Sequence, residues 1–480
     1  MLHPDGLPLP QRYWAIVTIA LGITMAVMDS AIANVALPTI ARDLHTDAAF
    51  SIWIVNGYQL AITISLLPLS SFGDIAGYRR VYLGGLALFS IASLACAFSH
   101  TLTELTAARV LQGFGAAGIM SVNTALVRFI YPHKALGRGI GVNALVVAVS
   151  AAVGPTVASG ILSVATWPWL FAVNVPIGIA AYVIGMRALP HTPRAPHPFD
   201  VQSAVLSALS FGFLIASIDA LGHGENFALF AGEIFVTLLV GTLLVRRQLS
   251  SPAPLLPVDL LKIPIFSLSV GTSICSFVAQ MLALVSLPFL LQLNMHFTAV
   301  QTGLLITPWP IAIGIAAPIA GRLADRYPVG LLAGAGLLVF AAGLFALALL
   351  PAHPGAWDIV WRMALSGIGF GLFQSPNNRA MITAAPRERS GGASGMLGTA
   401  RLLGQTVGAA LLALLFARAP SNATTLALYI SAAFALLAAI VSATRMFERP
   451  PQARDARLVQ ATHSPDGNIA LSDVRDRSAM

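Results

Sequence analysis

The chain has 480 residues, of which 57% are hydrophobic and 10% are charged, and its mean hydropathy is +0.80. Because about 25% of the residues of an average soluble domain are charged, this composition excludes an ordinary soluble protein and predicts an integral membrane protein. The net charge of +8 comes from basic residues spread over short loops, so binding of nucleic acid is not supported. Cys96 and Cys275 lie in separate apolar segments, which gives neither a disulfide framework nor a metal cluster.

Fourteen apolar segments follow one another along the chain, and each is about as long as a bilayer crossing requires. They lie near 13–37, 50–70, 79–99, 104–128, 138–161, 168–189, 201–221, 227–249, 266–292, 301–324, 329–350, 357–381, 392–417 and 424–446. Because they are continuously apolar and interrupted by Gly and Pro, they predict helices rather than barrel strands. The expected fold is an all-helical bundle. Its first segment lacks a signal-peptide cleavage pattern and is expected to be retained.

The basic residues predict the orientation of the helices. If the N-terminus is inside, nearly all Lys and Arg residues at helix ends fall on the inner side, and only Arg42 and Arg418 fall outside. Cytoplasmic loops carry the excess of Lys and Arg. We therefore expect a multi-pass protein of the cell (inner) membrane with cytoplasmic N- and C-termini.

Asp29 is the most informative residue of the first segment. At a rise of about 1.5 Å per residue, a helix that starts near Tyr13 places Asp29 roughly 24 Å along its axis, within a hydrocarbon core about 30 Å thick. A carboxylate is costly there, and acids in this position usually mark proton or ion pathways. We expect Asp29 to bind and release a proton; a structural acid that pairs with a neighbouring helix and never titrates is the alternative.

Arg109 in the fourth segment is the expected partner of Asp29. Its guanidinium group cannot lose its proton and needs an acceptor nearby, and Gln112 lies one turn further on the same helix face. Pairing with Arg109 would lower the pKa of an acid, whereas an apolar site would raise it, so movement between the two could load and unload a proton. Alternatively, Arg109 only snorkels or caps backbone carbonyl groups.

Two short loops repeat one combination of acidic and basic residues. The first contains Asp74, Arg79 and Arg80, and the second contains Asp325 and Arg326. The repetition indicates two related halves, an organisation found in many transporters. A carboxylate at such a helix end can hold an arginine or a helix N-terminus of the other half, so we interpret both loops as conformational latches. Loops that merely follow the orientation rule are the alternative.

The fifth segment ends in a run of small residues that includes Gly154, Pro155 and Gly160. Small residues permit close helix packing, and proline frees a backbone carbonyl and bends the helix. The run is either a functional element of the helix or ordinary packing.

Polar residues inside the apolar segments are candidates for the wall of a substrate cavity, although half of them could simply bridge helices. The candidates are Asn34, Asn56, Tyr58, Gln59, Gln112, Asn143, Gln374, Asn378, Arg401 and Gln405. Arg401 is the most notable because it lies in the middle of its segment. The second half contains acids only near the helix ends, at Asp325 and Asp358, so it offers little to neutralise a dication. Anionic and neutral lipophilic compounds remain open as substrates.

Together these motifs resemble the major facilitator superfamily, and the fourteen segments are similar to its drug:proton antiporter branch. The resemblance is carried by five runs in order, over about 14–446: Asp29 to Pro38, Asp74 with Arg79 and Arg80, Arg109-x-x-Gln112-Gly113-x-Gly115, Gly154-Pro155, and Asn174 to Gly178. In this family the arginine at the position of Arg109 is associated with proton coupling, and the run from Gly154 resembles the antiporter motif. The first loop departs from the family pattern at Ser70, Ile75 and Tyr78.

The resemblance implies two six-helix bundles joined by two additional helices. The expected divisions are a cytoplasmic N-terminus 1–12, an N-terminal bundle 13–189, a linker with two transmembrane helices 190–262, a C-terminal bundle 263–446 and a disordered cytoplasmic tail 447–480. The implied activity is proton-coupled export of small, mostly lipophilic or cationic organic compounds by alternating access.

The sequence has no phosphate loop, no paired carboxylates with a nucleophile and no His/Cys cluster, so we expect no enzyme activity, no cofactor and no metal. A proton gradient is the expected energy source. The expected partners are small organic substrates, protons and the lipid bilayer, and the protein is expected to be a monomer. A carrier for one specific metabolite and a non-transporting membrane sensor or scaffold remain as alternatives.

Overall fold

The computed structural model describes residues 6–194, 198–223, 227–250, 255–386 and 389–445, so the predicted tail 447–480 lies outside the described residues. Within these ranges the regular structure is helical, without a strand. The long helices are α1 Leu9–Asp43, α2 Ala48–Ala76, α3 Tyr78–Ala97, α4 Leu102–Ile130, α5 Leu136–Val164, α6 Pro168–Ala188, α7 Val201–His223, α8 Phe227–Ser250, α9 Pro264–Asn294, α10 Ala299–Leu323, α11 Val329–Ala348, α12 Ala356–Ala384, α13 Ser390–Arg418 and α14 Ala423–Thr444.

Over the described ranges, twelve helices are long and apolar enough to cross a membrane. This confirms the prediction of an all-helical membrane protein. The helices α8 and α12 are not among the twelve, although both start and end close to predicted segments. In α12, Asp358 and Arg362 lower the hydropathy of the first turns. The count of fourteen crossings therefore stays a prediction.

Local sequence signals explain where several helices begin and end. Thr101 caps α4 by accepting a hydrogen bond from the backbone N–H of Glu104, and Thr298 forms a capping box with Gln301 at the start of α10, as expected for threonine before a helix. The turn between α2 and α3 is made by Gly77 at φ +97°, a conformation that side chains with a Cβ rarely adopt. The first loop motif is thus a sharp turn between two helices.

The apolar core is divided into clusters that reveal how the two ends of the bundle differ. We call the end at which α1 begins the start face and the end at which α1 finishes the far face; the sequence predicts that the start face is cytoplasmic. A cluster near the far face joins the last turns of α1, represented by Ile32 and Val35, to the last turns of α9 and α13, represented by Val285 and Leu412. The two halves of the chain are therefore sealed against each other at the far face.

Helices α5 and α10 separate toward the start face. Near the far face they touch, since a Cβ added to Gly303 in α10 would lie 2.5 Å from the carbonyl oxygen of Pro155 in α5. Gly137 lies five helical turns before Pro155 and therefore on the same face of α5, yet nothing lies within 4 Å of the position of its Cβ, and the same holds for Gly314 in α10. The structure is closed at the far face and open between these helices at the start face.

Candidate functional site

Asp29 lies at the centre of a buried polar network in the N-terminal half. Only 1% of its surface is exposed. Its carboxylate accepts hydrogen bonds from Arg109 Nη1, from Gln112 Nε2 at 2.9 Å and from Asn174 Nδ2 at 2.9 Å. The donors come from α4 and α6, so a single carboxylate connects three helices.

Arg109 is completely buried and forms an ion pair with Asp29. Its Nε donates a hydrogen bond to the carbonyl oxygen of Ile54 in α2 at 3.2 Å. The guanidinium carbon lies 4.1 Å from the ring centroid of Tyr58 and 5.5 Å from that of Phe171, distances at which an aromatic face attracts a cation. Arg109 therefore does not snorkel to a membrane face in this structure, and its charge is stabilised inside the bundle.

Gln112 bridges the ion pair to α3. Its Oε1 accepts a hydrogen bond from Arg109 at 2.6 Å, and its Nε2 donates to Ser93 at 2.8 Å as well as to Asp29. Tyr58 contributes a second link to α1, because its hydroxyl group donates to the carbonyl oxygen of Ala26 at 3.0 Å. The network thus includes residues of α1, α2, α3, α4 and α6.

Sequence reasoning placed Asp29, Arg109, Gln112 and Tyr58 among the site residues, and the structure brings these four together. It placed Asn174 in the run that ends at Gly178 without assigning it to Asp29, and it missed Ser93 and Phe171 as members of the network. An asparagine inside an apolar helix gives a weak signal for such a role, whereas a serine or phenylalanine there gives none.

The residues around Asp29 lie next to the contact between the two halves. A Cβ added to Gly154 in α5 would lie 2.7 Å from the Cβ of Ala31, and Met28 lies on the same side of α1. The next residue, Pro155, belongs to the contact with Gly303 of α10. Two members of the predicted antiporter motif therefore connect the helix of Asp29 with the C-terminal half.

Gly160, the third member of that motif, has nothing within 4 Å of the position of its Cβ. It makes no close helix contact in this conformation. The contact between α5 and α10 is reinforced by a hydrogen bond, because the hydroxyl groups of Thr156 in α5 and Thr307 in α10 lie 2.9 Å apart.

The side chains of the first loop motif form hydrogen bonds with groups of the N-terminal half. Asp74 accepts a hydrogen bond from the hydroxyl group of Tyr78. Arg79 contacts the ring of His191 and donates to the carbonyl oxygen of Met186, and Arg80 is exposed. The acid is held by the tyrosine that departs from the family pattern, and not by either arginine.

In the second loop motif, Asp325 forms an ion pair with Arg379 at the end of α12, while Arg326 is exposed. Arg379 was not predicted as the partner. Within the described ranges, the hydrogen bonds and ion pairs of Asp74, Arg79 and Asp325 stay inside their own halves, which fits the separation of α5 and α10 at the start face. A latch across the halves stays a prediction for the opposite conformation.

The other candidates of the N-terminal half are polar groups near the interface of the helices. Asn34, Asn56 and Gln59 are buried, and the Oδ1 atoms of both asparagines have no hydrogen-bond partner. Asn143 accepts a hydrogen bond from Asn123 at 2.8 Å, so it bridges α4 and α5. The structure does not bring these residues into the Asp29 network.

The candidates of the C-terminal half flank helix α9. In α13, Leu402 packs in the core of the N-terminal half, whereas Gly404 packs against Ile274 of α9. Arg401 and Gln405 lie one helical turn apart, on the surface of α13 between these two contacts. They therefore face the junction of α2, α9 and α13.

Gln374 and Asn378 occupy the corresponding place on α12. Asn377 donates a hydrogen bond to Ser273 of α9 at 2.8 Å, and Gly371 packs against α10. Around the axis of α12, Gln374 and Asn378 lie between the side that contacts α9 and the side that contacts α10. They therefore face the junction of α9 and α10. Both side chains are partly exposed.

The structure also contains a buried arginine that the sequence placed only at a helix end. Arg445 follows α14 and is 5% exposed. It donates hydrogen bonds to Asn377 at 2.8 Å, Thr272 at 2.9 Å and Ser269 at 3.2 Å. These neutral acceptors tie the end of α14 to α9 and α12.

A bundle of long apolar helices in two halves, with a buried ion pair in one half and α5 and α10 in contact at the far face, is the architecture of a membrane transporter. Solved structures share the fold. A bacterial homologue of the human lysosomal transporter Spinster, in its inward-facing and unoccupied conformation, has a TM-score of 0.66 and 15% sequence identity, over 93% of this chain and all of that chain. A POT family transporter with a bound thioalcohol-conjugated peptide has a TM-score of 0.69 and 13% identity, over 92% of this chain and 96% of the other. At these identities the likeness shows the fold alone.

The chain belongs to the Major Facilitator Superfamily, whose model matches residues 19–286 and 268–479. The "Uncharacterized transporter YebQ" of Escherichia coli is 59% identical over 93% of this chain and 98% of its own length. The riboflavin transporter RibZ of Clostridioides difficile is 28% identical over 85% of this chain and 89% of its length. The multidrug efflux pump LfrA of Mycolicibacterium smegmatis is 30% identical over 86% of this chain and 82% of its length. The protein is therefore a transporter and not an enzyme.

Proposed function

We propose that the chain exports small organic compounds in exchange for protons, with Asp29 as the proton carrier and Arg109 as its coupling partner. The observation that carries this proposal is the complete burial of the Asp29–Arg109 ion pair within a network of five helices. Similarity to the efflux pump LfrA supports the direction of transport. The proposal includes cytoplasmic termini, the inner membrane as location and a monomeric protein in the bilayer.

Protonation of Asp29 supplies a physical trigger. It removes the negative charge that Arg109 binds and weakens the hydrogen bonds from Gln112 and Asn174, because bonds to a charged acceptor are roughly twice as strong as neutral ones. The arginine must then find other acceptors, since a buried unpaired charge is costly. The network that holds α1 to α4 and α6 therefore loosens when a proton arrives.

The position of Gly154 gives this trigger a path to the opposite half. Its contact with Ala31 lies two residues from Asp29, and Pro155 beside it contacts Gly303. A shift of α1 against α5 would disturb the seal between α5 and α10. Protonation and the far-face contact are coupled in this way, as alternating access requires.

The test is transport by the purified full chain in proteoliposomes with an imposed pH gradient. Three probes cover the charge types: fluorescein as an anion, riboflavin as a neutral compound and a rhodamine ester as a cation. Asp29→Asn keeps the hydrogen-bonding shape but cannot carry a proton, and Asp43→Asn at the exposed end of the same helix is the matched control. We expect pH-driven flux of at least one probe in the wild type and in Asp43→Asn, and its loss in Asp29→Asn.

Flux of the same rate in Asp29→Asn would overturn the role of Asp29. Flux of riboflavin alone, independent of the pH gradient, would favour a specific metabolite carrier, which the similarity to RibZ makes the second candidate. Absence of any flux would favour the sensor or scaffold.

A further inference from the structure

Arg401 is a partly buried cation in the middle of α13, and no counter-charge to it is found in the described part of the chain. Three other arginines in or next to the apolar helices have partners: Arg109 and Arg362 form ion pairs with Asp29 and Asp358, and Arg445 donates to three neutral acceptors. The Nε of Arg401 is buried and has no hydrogen-bond partner. Within the described part of the chain, no ion pair to Arg401 is found.

Arg401 is partly exposed and lies on the part of α13 that faces the junction of the two halves. It lies between the contacts of α13 with α2 and with α9, beside Gln405. Two turns further along α13, Ala409 belongs to the far-face seal, which also contains Met28 next to Asp29. At a rise of 1.5 Å per residue, Arg401 lies about 12 Å nearer to the start face than Ala409 does. The start face is the end of the bundle at which α5 and α10 separate.

The surroundings of Arg401 offer neutral polar groups rather than acids. Gln405 shares its helix face, and Gln374 lies near the same level of α9, because Asn377 bonds to Ser273 and Gly404 packs on Ile274. Among the residues whose side-chain exposure is described, Asp29 is the buried carboxylate, and it is already paired with Arg109. A cationic compound would meet an uncompensated positive charge here, and an anion would supply the charge that Arg401 lacks.

We propose that Arg401 forms the recognition site for an acidic group on the exported compound, with Gln405 as a neutral hydrogen-bond donor beside it. The substrates are thus organic anions or weak acids with an apolar body. This inference rests on the proposed export function, of which it names the substrate class.

The test separates binding from transport. Fluorescein and a rhodamine ester share the xanthene ring and differ in charge, and their fluorescence anisotropy reports binding to the full chain in detergent micelles near neutral pH. The variants are Arg401→Gln, Arg401→Lys, which keeps the charge, and Arg246→Gln at an exposed position of α8 as the control. We expect the wild type and Arg246→Gln to bind fluorescein at least about tenfold more tightly than the rhodamine ester, which corresponds to about 1.4 kcal/mol. Arg401→Gln should lose this preference, and Arg401→Lys should retain part of it.

Equal or weaker binding of fluorescein by the wild type, including no binding, would overturn the inference. So would an unchanged preference in Arg401→Gln. Proton-coupled flux of the rhodamine ester but not of fluorescein would overturn it and leave the proposed export function standing. Arg401-dependent binding of fluorescein without pH-driven flux of any probe would overturn the export function and leave the recognition site standing.

Discussion

The hydroxyl group of Tyr78 donates a hydrogen bond to the carboxylate of Asp74 across the turn between α2 and α3. The ring of Tyr78 also packs against Phe129, with the ring centroids 5.9 Å apart. A tyrosine thus takes the place of a basic residue in the family pattern and holds the acid through a neutral donor. Asp74 is thus held within the N-terminal half in the conformation in which α5 and α10 are apart at the start face.

Tyr78→Phe should lower the free energy of unfolding by about 0.5–1.5 kcal/mol, the usual value of one intramolecular hydrogen bond. The substitution keeps the ring packing against Phe129 and removes only the donor to Asp74. Thermal unfolding of the purified protein in detergent measures the effect. Tyr327→Phe at an exposed position serves as the control, and equal stability of the two variants would show that the bond to Asp74 contributes nothing.

Arg109→Gln should destabilise the protein by about 3–5 kcal/mol, because removing one partner of a buried ion pair leaves the other charge unpaired. The double variant Asp29→Asn/Arg109→Gln should be less destabilised than the sum of the two single variants, since neither charge then remains. Unfolding titrations with a denaturing detergent give the free energies for this cycle. Additive effects would mean that Asp29 and Arg109 do not interact energetically.

The pairing of Asp29 with Arg109 could be predicted because each charge is costly in an apolar helix and each had the other as the most suitable partner. The contributions of Asn174 and Ser93 could not, since a neutral polar residue can face any neighbouring helix. The partner of Asp325 could not be predicted from the sequence either. Arg379 lies more than fifty residues away along the chain, and only the packing of α12 brings it to the loop.

The helical segments were predictable because the thickness of the bilayer sets the length of an apolar run. Their ends were not: α1 extends to Leu9 and Asp43, beyond the predicted 13–37, since polar residues continue a helix outside the apolar region. No sequence feature indicates which conformation the two halves adopt. The conformation depends on contacts between helices such as that of Gly303 with Pro155. Small residues permit two helices to approach closely there but do not require it.

Asp325→Asn should change stability by no more than about 1 kcal/mol. The side chains of Asp325 and Arg379 are 64% and 49% exposed, and exposed ion pairs contribute little because water screens their charges. Thermal unfolding in detergent should therefore place Asp325→Asn close to the wild type. A loss as large as that of Arg109→Gln would show that this ion pair is a main support of the fold.

Gly303→Ala should open the far face. The added methyl group would overlap the hydroxyl group of Ser159 and lie 2.5 Å from the carbonyl oxygen of Pro155, so α5 and α10 must move apart at their contact. Gly314→Ala, on the same face of α10 with nothing within 4 Å, is the matched control. In a background without Cys96 and Cys275, a cysteine at Thr39 beside Gln292 at the far face reports opening by its rate of maleimide labelling. We expect faster labelling in Gly303→Ala than in Gly314→Ala; equal rates would mean that the close approach at Gly303 does not hold the far face shut.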